Sequence, residues 1–185
     1  MKTITKLLSV LCLFGLFLAC NTGHKEIITP AQDEPAPAEK STVIYLVRHA
    51  EKATNSPTDP DLSAAGHLRA QVLIDTLSKI QLSAIYTSNY KRTRQTVAPT
   101  AQAKNLTPVV YNANDLAALA AKVMQENLNQ TVLITGHSNT VLETIEAFKA
   151  KRPIAVINES DYNYLFKVTL KENKDPEVEV KRYGN

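Results

Sequence analysis

The sequence predicts an α/β fold, a three-layer α/β/α sandwich around a mostly parallel central sheet. Short runs of β-branched and aliphatic residues, at 42–47, 84–88, 108–111 and 131–135, alternate with longer stretches whose apolar residues recur at helical spacing. The runs at 42–47 and 131–135 are almost continuously apolar, as parallel strands covered on both faces are. These two runs also stop abruptly at a histidine. Thr42, Val43, Ile44, Tyr45, Leu46 and Val47 lead into Arg48 and His49; Thr131, Val132, Leu133, Ile134 and Thr135 lead into Gly136 and His137. Ligand sites in open α/β sheets lie beyond the carboxyl ends of such strands. An arginine and two histidines placed there are candidates for handling an anion.

The N-terminal segment is of another kind. Lys2 and Lys6 precede an apolar stretch at 7–18, too short to span a bilayer. Phe17, Leu18, Ala19 and Cys20 then resemble a bacterial lipobox, with Phe17 where leucine is commoner. That resemblance implies a lipoprotein signal peptide over 1–19 and lipidation of Cys20. The expected product is an exported, membrane-anchored lipoprotein, periplasmic or on the cell surface. Cys12, the other cysteine, falls inside the signal, so the domain has no thiol nucleophile, thiolate metal ligand or disulfide. Residues 20–41 carry Pro30, Pro35 and Pro37 without apolar periodicity and read as a flexible tether. Residues 42–185 suit one domain with a real core. The net charge of +3 includes Lys2 and Lys6, and no basic run marks a nucleic-acid partner. Any positive field must therefore be local.

Each element has its own signal. Pro57 and Pro60 make 53–61 a loop. Ser63 is the expected N-cap of a helix that carries Ala65, Leu68, Val72, Leu73, Leu77 and Ile80 at helical spacing, with His67 towards solvent. After the strand at 84–88, a helix begins near Tyr90 with Arg92, Arg94, Gln95 and Val97, and Pro99 is expected to kink or end it. A short strand at 108–111 precedes a helix capped by Asn112 or Asn114, with Asp115 in its first turn and Leu116, Leu119, Val123 and Met124 buried. Val141, Leu142, Ile145 and Phe148 follow His137 as a helix, with Glu143 and Glu146 outward. Residues 162–170 and 177–183 alternate like strands around a turn at 172–176, which predicts a hairpin joined to the sheet edge.

Arg48, His49 and Ala50, then Ser88 with Arg92, Gln95 and Thr96, then Gly136, His137 and Ser138 resemble the three signatures of the histidine phosphatase superfamily, which has the phosphoglycerate mutase-like fold. They stand in the family's order over about residues 42–149, and Leu62, Ser63 and Gly66 are similar to its Leu-Ser/Thr-x-x-Gly segment. The resemblance implies a phosphohydrolase acting on phosphate monoesters. His49 would be the nucleophile that becomes phosphohistidine, Arg48 and Arg92 would hold the phosphate, and His137 would donate to one of its oxygens. The residue types suit that work. Guanidinium forks match phosphate oxygens and stay charged, and neutral imidazole is a competent nucleophile near pH 7. The family uses neither metal nor other cofactor. Its mutase-like members place a phosphate-contacting Asn where Asn55 stands. The substrate would be a phosphorylated small molecule or phosphoprotein, and the membrane would be met through the lipid anchor.

The acid for the leaving group is less defined. Ser138 stands where the acid phosphatase branch has an Asp after the second histidine. The mutase-like branch draws a Glu from the segment before that histidine, where only Asp115 and Glu126 are acidic, and Glu126 is late in its helix. Asp115 and Glu51, the latter close to His49, are the candidates. Two alternatives follow. One is a surface lipoprotein that binds a phosphate ligand without turnover. The other is a phosphoglycerate mutase-type phosphotransferase, which the short spacing between motifs disfavours.

Overall fold

In chain order the described residues, 40–184, form β1 (Ser41–Arg48), α1 (Ala64–Thr76), β2 (Ala84–Ser88), α2 (Lys91–Lys104), β3 (Val109–Tyr111), α3 (Leu116–Glu126), β4 (Thr131–Gly136), α4 (Thr140–Ala147), β5 (Tyr164–Lys171) and β6 (Glu177–Arg182). The structure is a computed structural model. The expected signal peptide, Cys20 and nearly all of the expected tether lie outside these residues. β1 opens at Ser41, one residue earlier than the sequence predicts.

The six strands form one sheet in the order β3-β2-β4-β1-β5-β6. β3, β2, β4 and β1 are parallel, and β5 and β6 add an antiparallel hairpin beside β1. Alternation along the strands builds both cores, because successive side chains point to opposite faces. Ile44, Leu46, Val132, Ile134, Phe166 and Val168 pack on one face with Leu119 and Val123 of α3 and Leu142 and Ile145 of α4. Val47, Ile85, Leu133 and Leu165 pack on the other face with Leu73 of α1 and Val97 and Ala101 of α2. The result is the expected α/β/α sandwich.

Three local departures have physical causes. α1 keeps part of the expected face, with Leu73 and Leu77 buried and Val72 and Ile80 packed beside them, but its first turns put Gly66 and Ala70 inward and leave Ala65 and Leu68 exposed, Leu68 at 69%. The start of this helix presses on the chain leaving β1, and a Cβ on Gly66 would lie 2.2 Å from the carbonyl oxygen of Glu51. That close approach sets the helix phase and explains the glycine. Pro99 does not end α2, which runs unbroken through it. Val97 and Ala101 on either side are buried and hold the helix across the missing bond. In α3 the cap is Asp115 itself, whose Oδ1 accepts from the Ala118 N–H at 3.0 Å. Asn112 closes the preceding turn by accepting from the Asn114 N–H.

Candidate active site

Parallel pairing brings the chemistry together. Arg48 is opposite Gly136 in the β1–β4 register, and the His49 N–H extends the ladder to the Gly136 carbonyl. The residues just past the two strands, His49 and His137, are therefore neighbours, with ring centroids 5.4 Å apart. β2 ends alongside at Ser88, and α2, which follows it, carries Arg92 near its N-terminus. A cleft of about 260 Å³ opens there, lined among others by Arg48, His49, Arg92 and His137. The first residues of α4 also line it, so a helix N-terminus, favourable to anions, faces the same space.

Hydrogen bonding fixes both tautomers. The Nδ1 of His49 lies 2.8 Å from the Ala50 carbonyl oxygen, which can only accept. Nδ1 therefore carries the hydrogen and Nε2 keeps its lone pair. The Ala50 N–H donates to Thr96 Oγ1, and Thr96 Oγ1 donates to the Arg92 carbonyl, tying this turn to α2. At His137, Nδ1 accepts from Arg92 Nη2 at 3.3 Å, so Nε2–H donates to Ser88 Oγ at 2.9 Å. Ser88 Oγ passes its own hydrogen to Thr93 Oγ1. Burial, aided by the charges of Arg48 and Arg92, lowers His49 to about 3. Burial, then Arg92 and Arg48, lowers His137 to about 4. Both imidazoles are neutral near pH 7.

The arginines are only partly occupied. Arg48 is 1% exposed. Its Nη1 donates to the carbonyls of Asn158, Glu159 and Asp161, and its Nη2 donates to Glu159 Oε2 at 2.9 Å. The Tyr162 ring lies under the guanidinium, 4.3 Å from ring centroid to Cζ. Arg92 reaches His137, has Asp59 3.8 Å from Nη1, and lies over the Tyr90 ring. The Nε–H of each is buried, and neither has a hydrogen-bond partner among the described residues. A buried donor left unmade is costly, and here two occur at one cleft.

Three residues proposed from sequence lie elsewhere. Asp115 caps α3 and is not a cleft residue. Glu51 turns to α1, where Arg69 grips both of its carboxylate oxygens. Burial pushes Glu51 up, but the bonds from Arg69 hold it below the ordinary carboxylate range. Asn55 exchanges hydrogen bonds with Asp61 inside the Pro-rich loop and does not line the cleft. Gln95, from the second signature, steadies the same loop: it accepts from the Leu62 N–H and donates to Asp61. The strap from Asn158 to Tyr162 has no motif. Its sole trace in the sequence is a polar run, Asn158, Glu159, Ser160 and Asp161, that reads as turn chemistry. Among the described residues, no group of three or more His, Cys, Asp or Glu side chains is placed to hold a metal ion.

Known proteins resemble this chain in sequence and in fold. The family model for the histidine phosphatase superfamily (branch 1) matches residues 44–114. Phosphoserine phosphatase 1 of Hydrogenobacter thermophilus is 44% identical over 69 residues, which are 34% of this chain and 33% of that protein. The match thus spans about a third of that relative's length. The solved structure of the protein histidine phosphatase SixA complexed with tungstate superimposes with a TM-score of 0.61 at 17% identity, covering 76% of this chain and 96% of that one. A mycobacterial glucosyl-3-phosphoglycerate phosphatase superimposes with a TM-score of 0.64 at 12% identity, covering 78% and 100%. Residues 44–114 are thus similar to the histidine phosphatase superfamily, and the solved structures share the α/β/α fold of this chain.

Proposed function

We propose that this protein is a metal-independent phosphohydrolase that cleaves phosphate monoesters through a phosphohistidine on His49. One observation carries the reading. Two arginines from different elements, each with an unpartnered Nε–H, line the same cleft as an imidazole whose Nδ1 carries the hydrogen and whose Nε2 keeps its lone pair. That set matches an oxyanion plus a nucleophile. His49 Nε2 attacks phosphorus, the N–P bond forms as the ester P–O bond breaks, and a proton goes to the leaving oxygen. Water then attacks phosphorus, the N–P bond breaks, and inorganic phosphate leaves. Arg48 and Arg92 hold the equatorial oxygens throughout. His137 begins neutral, with its lone pair towards Arg92; an arriving dianion raises its affinity for a proton and lets it donate to a phosphate oxygen. SixA, which shares this fold, is complexed with tungstate, an oxyanion of related shape, and that supports an oxyanion as ligand here. The substrates named for the similar proteins are diverse, so the reading is confined to a phosphorylated small molecule or phosphoprotein.

The test is hydrolysis of p-nitrophenyl phosphate by the purified protein in EDTA, beside His49→Ala. Activity should persist in EDTA and fall by at least about 10³-fold in the variant. A folded wild type that binds phosphate but turns nothing over would instead make the chain a phosphate-binding lipoprotein.

The proposed setting is a membrane surface. The lysines before the apolar stretch at 7–18, and the lipobox-like residues ending at Cys20, support export and lipid anchoring. Cys20→Ser should move the protein from the membrane fraction to the soluble fraction after export. Retention in the membrane fraction would refute anchoring through that cysteine.

A further inference from the structure

We propose that Glu159 is the acid that protonates the leaving oxygen, an assignment that rests on the phosphohydrolase reading above. Glu159 is the one carboxylate among the residues lining the cleft. The carboxylates that the sequence offered for this task, Glu51 and Asp115, are engaged by Arg69 and by the N-terminus of α3.

Its backbone and side chain are held differently. The strap lies between α4 and β5 and is closed on itself by Asp161, which accepts from the Asn158 backbone and side-chain N–H groups. Its carbonyls, including that of Glu159, clasp Arg48 Nη1. The Glu159 backbone is thereby registered against a phosphate-holding residue. The side chain itself is 72% exposed. Its carboxylate takes one hydrogen bond from Arg48 Nη2 at 2.9 Å and one from Ser138 Oγ at 2.7 Å, with Lys52 Nζ at 4.0 Å. Ser138 thus stands beside the acid in this chain.

In the unliganded site this carboxyl is ionised. The Ser138 hydrogen bond, then the charges of Arg48 and Lys52, hold it below its ordinary range. A phosphate dianion changes those terms of contact. It competes for Arg48 and sets negative charge beside the carboxylate, and like charge favours the protonated form. Arg48 and Lys52 stand on the carboxylate's own side, and His49, Arg92 and His137 line the rest of the cleft. Exposure lets the freed carboxylate collect a proton from solvent. As His49 Nε2 bonds to phosphorus, the P–O electron pair goes to the ester oxygen, and that oxygen takes the proton from Glu159. In the second step the carboxylate takes a proton from the attacking water, which restores it.

Leaving-group dependence tests this. The purified protein and its Glu159→Gln variant are compared on p-nitrophenyl phosphate and on ethyl phosphate. Glutamine's one oxygen can still accept from Arg48, and its NH2 can donate to Ser138 Oγ, but it has no acidic proton to give. Nitrophenolate leaves without much help, so the variant should lose a few-fold on that substrate. On ethyl phosphate it should lose about 10²-fold or more. Losses by the same factor on both substrates would make Glu159 a positioning residue for Arg48 and overturn the assignment. No loss on either, or a wild type that cleaves nitrophenyl phosphate but never an alkyl ester, would overturn it too. A wild type inert to nitrophenyl phosphate would bring down the phosphohydrolase reading first, and this assignment with it. Residual nitrophenyl phosphate turnover by the variant reports that it is folded; if it has none, Glu159→Ala is measured in its place against the same two substrates.

Discussion

Two arginines flank the exit of β1, and they are used in opposite ways. Arg69, on α1, has all three guanidinium nitrogens engaged. Its Nε and Nη2 meet the Glu51 carboxylate, and its Nη1 meets the carbonyls of Tyr183 and Gly184. Arg48 is more deeply buried, yet its Nε has no partner. Their carboxylates differ too. Glu51 is 22% exposed and locked, whereas Glu159 is 72% exposed and held by single bonds. A cation with every nitrogen engaged is a staple between segments. A cation that lines a cleft with a donor unpartnered is suited to the proposed anion. Position near β1 does not distinguish the two; only the count of satisfied donors does.

The contrast can be broken by experiment. Arg48→Lys keeps a charge for the strap carbonyls but removes the Nε–H and the planar fork. Hydrolysis of p-nitrophenyl phosphate should fall roughly 10²–10³-fold, and a loss under tenfold would remove the distinction. Arg69→Met should do the reverse. It strands the partly buried Glu51 carboxylate and should cost about 2 kcal/mol, below the fully buried range because Glu51 retains some solvent. Urea titration reads that cost, and activity should stay within a few-fold. A large loss of turnover with unchanged stability would show that Arg69 belongs to the site.

The smallest effect per step is set by pH. Folded His49 and His137 stay neutral down to about 3 and about 4, while unfolded histidine protonates near 6.5. Between those values the unfolded chain binds more protons, so stability rises with pH and falls as pH drops below about 6.5. Each histidine contributes about 1.4 kcal/mol per pH unit inside its window. Urea midpoints between pH 6.5 and 5 should show this slope, and His49→Ala should remove one proton's share. An unchanged slope in that variant would mean that the imidazole is not held neutral by burial.

The strand ends were legible because their message is carried by side chains. An apolar run that stops at Arg-His or Gly-His can be read without knowing its neighbours, and parallel pairing then brought His49 beside His137. Ser88 and Thr96 were recognisable, although their work, accepting from His137 and from Ala50, appears only in three dimensions. The strap was hidden for a physical reason. It holds Arg48 mainly through backbone carbonyls, which every residue type supplies. Glu51 and Asp115 misled because a carboxylate's role depends on its partner. Arg69 and the Ala118 N–H are set by tertiary packing and by the exact start of a helix. The inward side of the first turns of α1 was likewise decided by the contact of Gly66 with Glu51, which hydrophobic periodicity does not register.

The cage around Arg48 also orders events during biosynthesis. The carbonyls that hold it come from residues 110 or more positions later in the chain. β1, although first in sequence, is completed on one side only by β5. A polypeptide that leaves the ribosome or crosses a membrane N-terminus first therefore carries Arg48 and His49 long before their surroundings exist. Until the strap and β5 emerge, the central strand lacks a neighbour and the cleft lacks a wall. Such long-range closure slows folding, and it delays any chemistry at His49 until nearly the whole domain has been made.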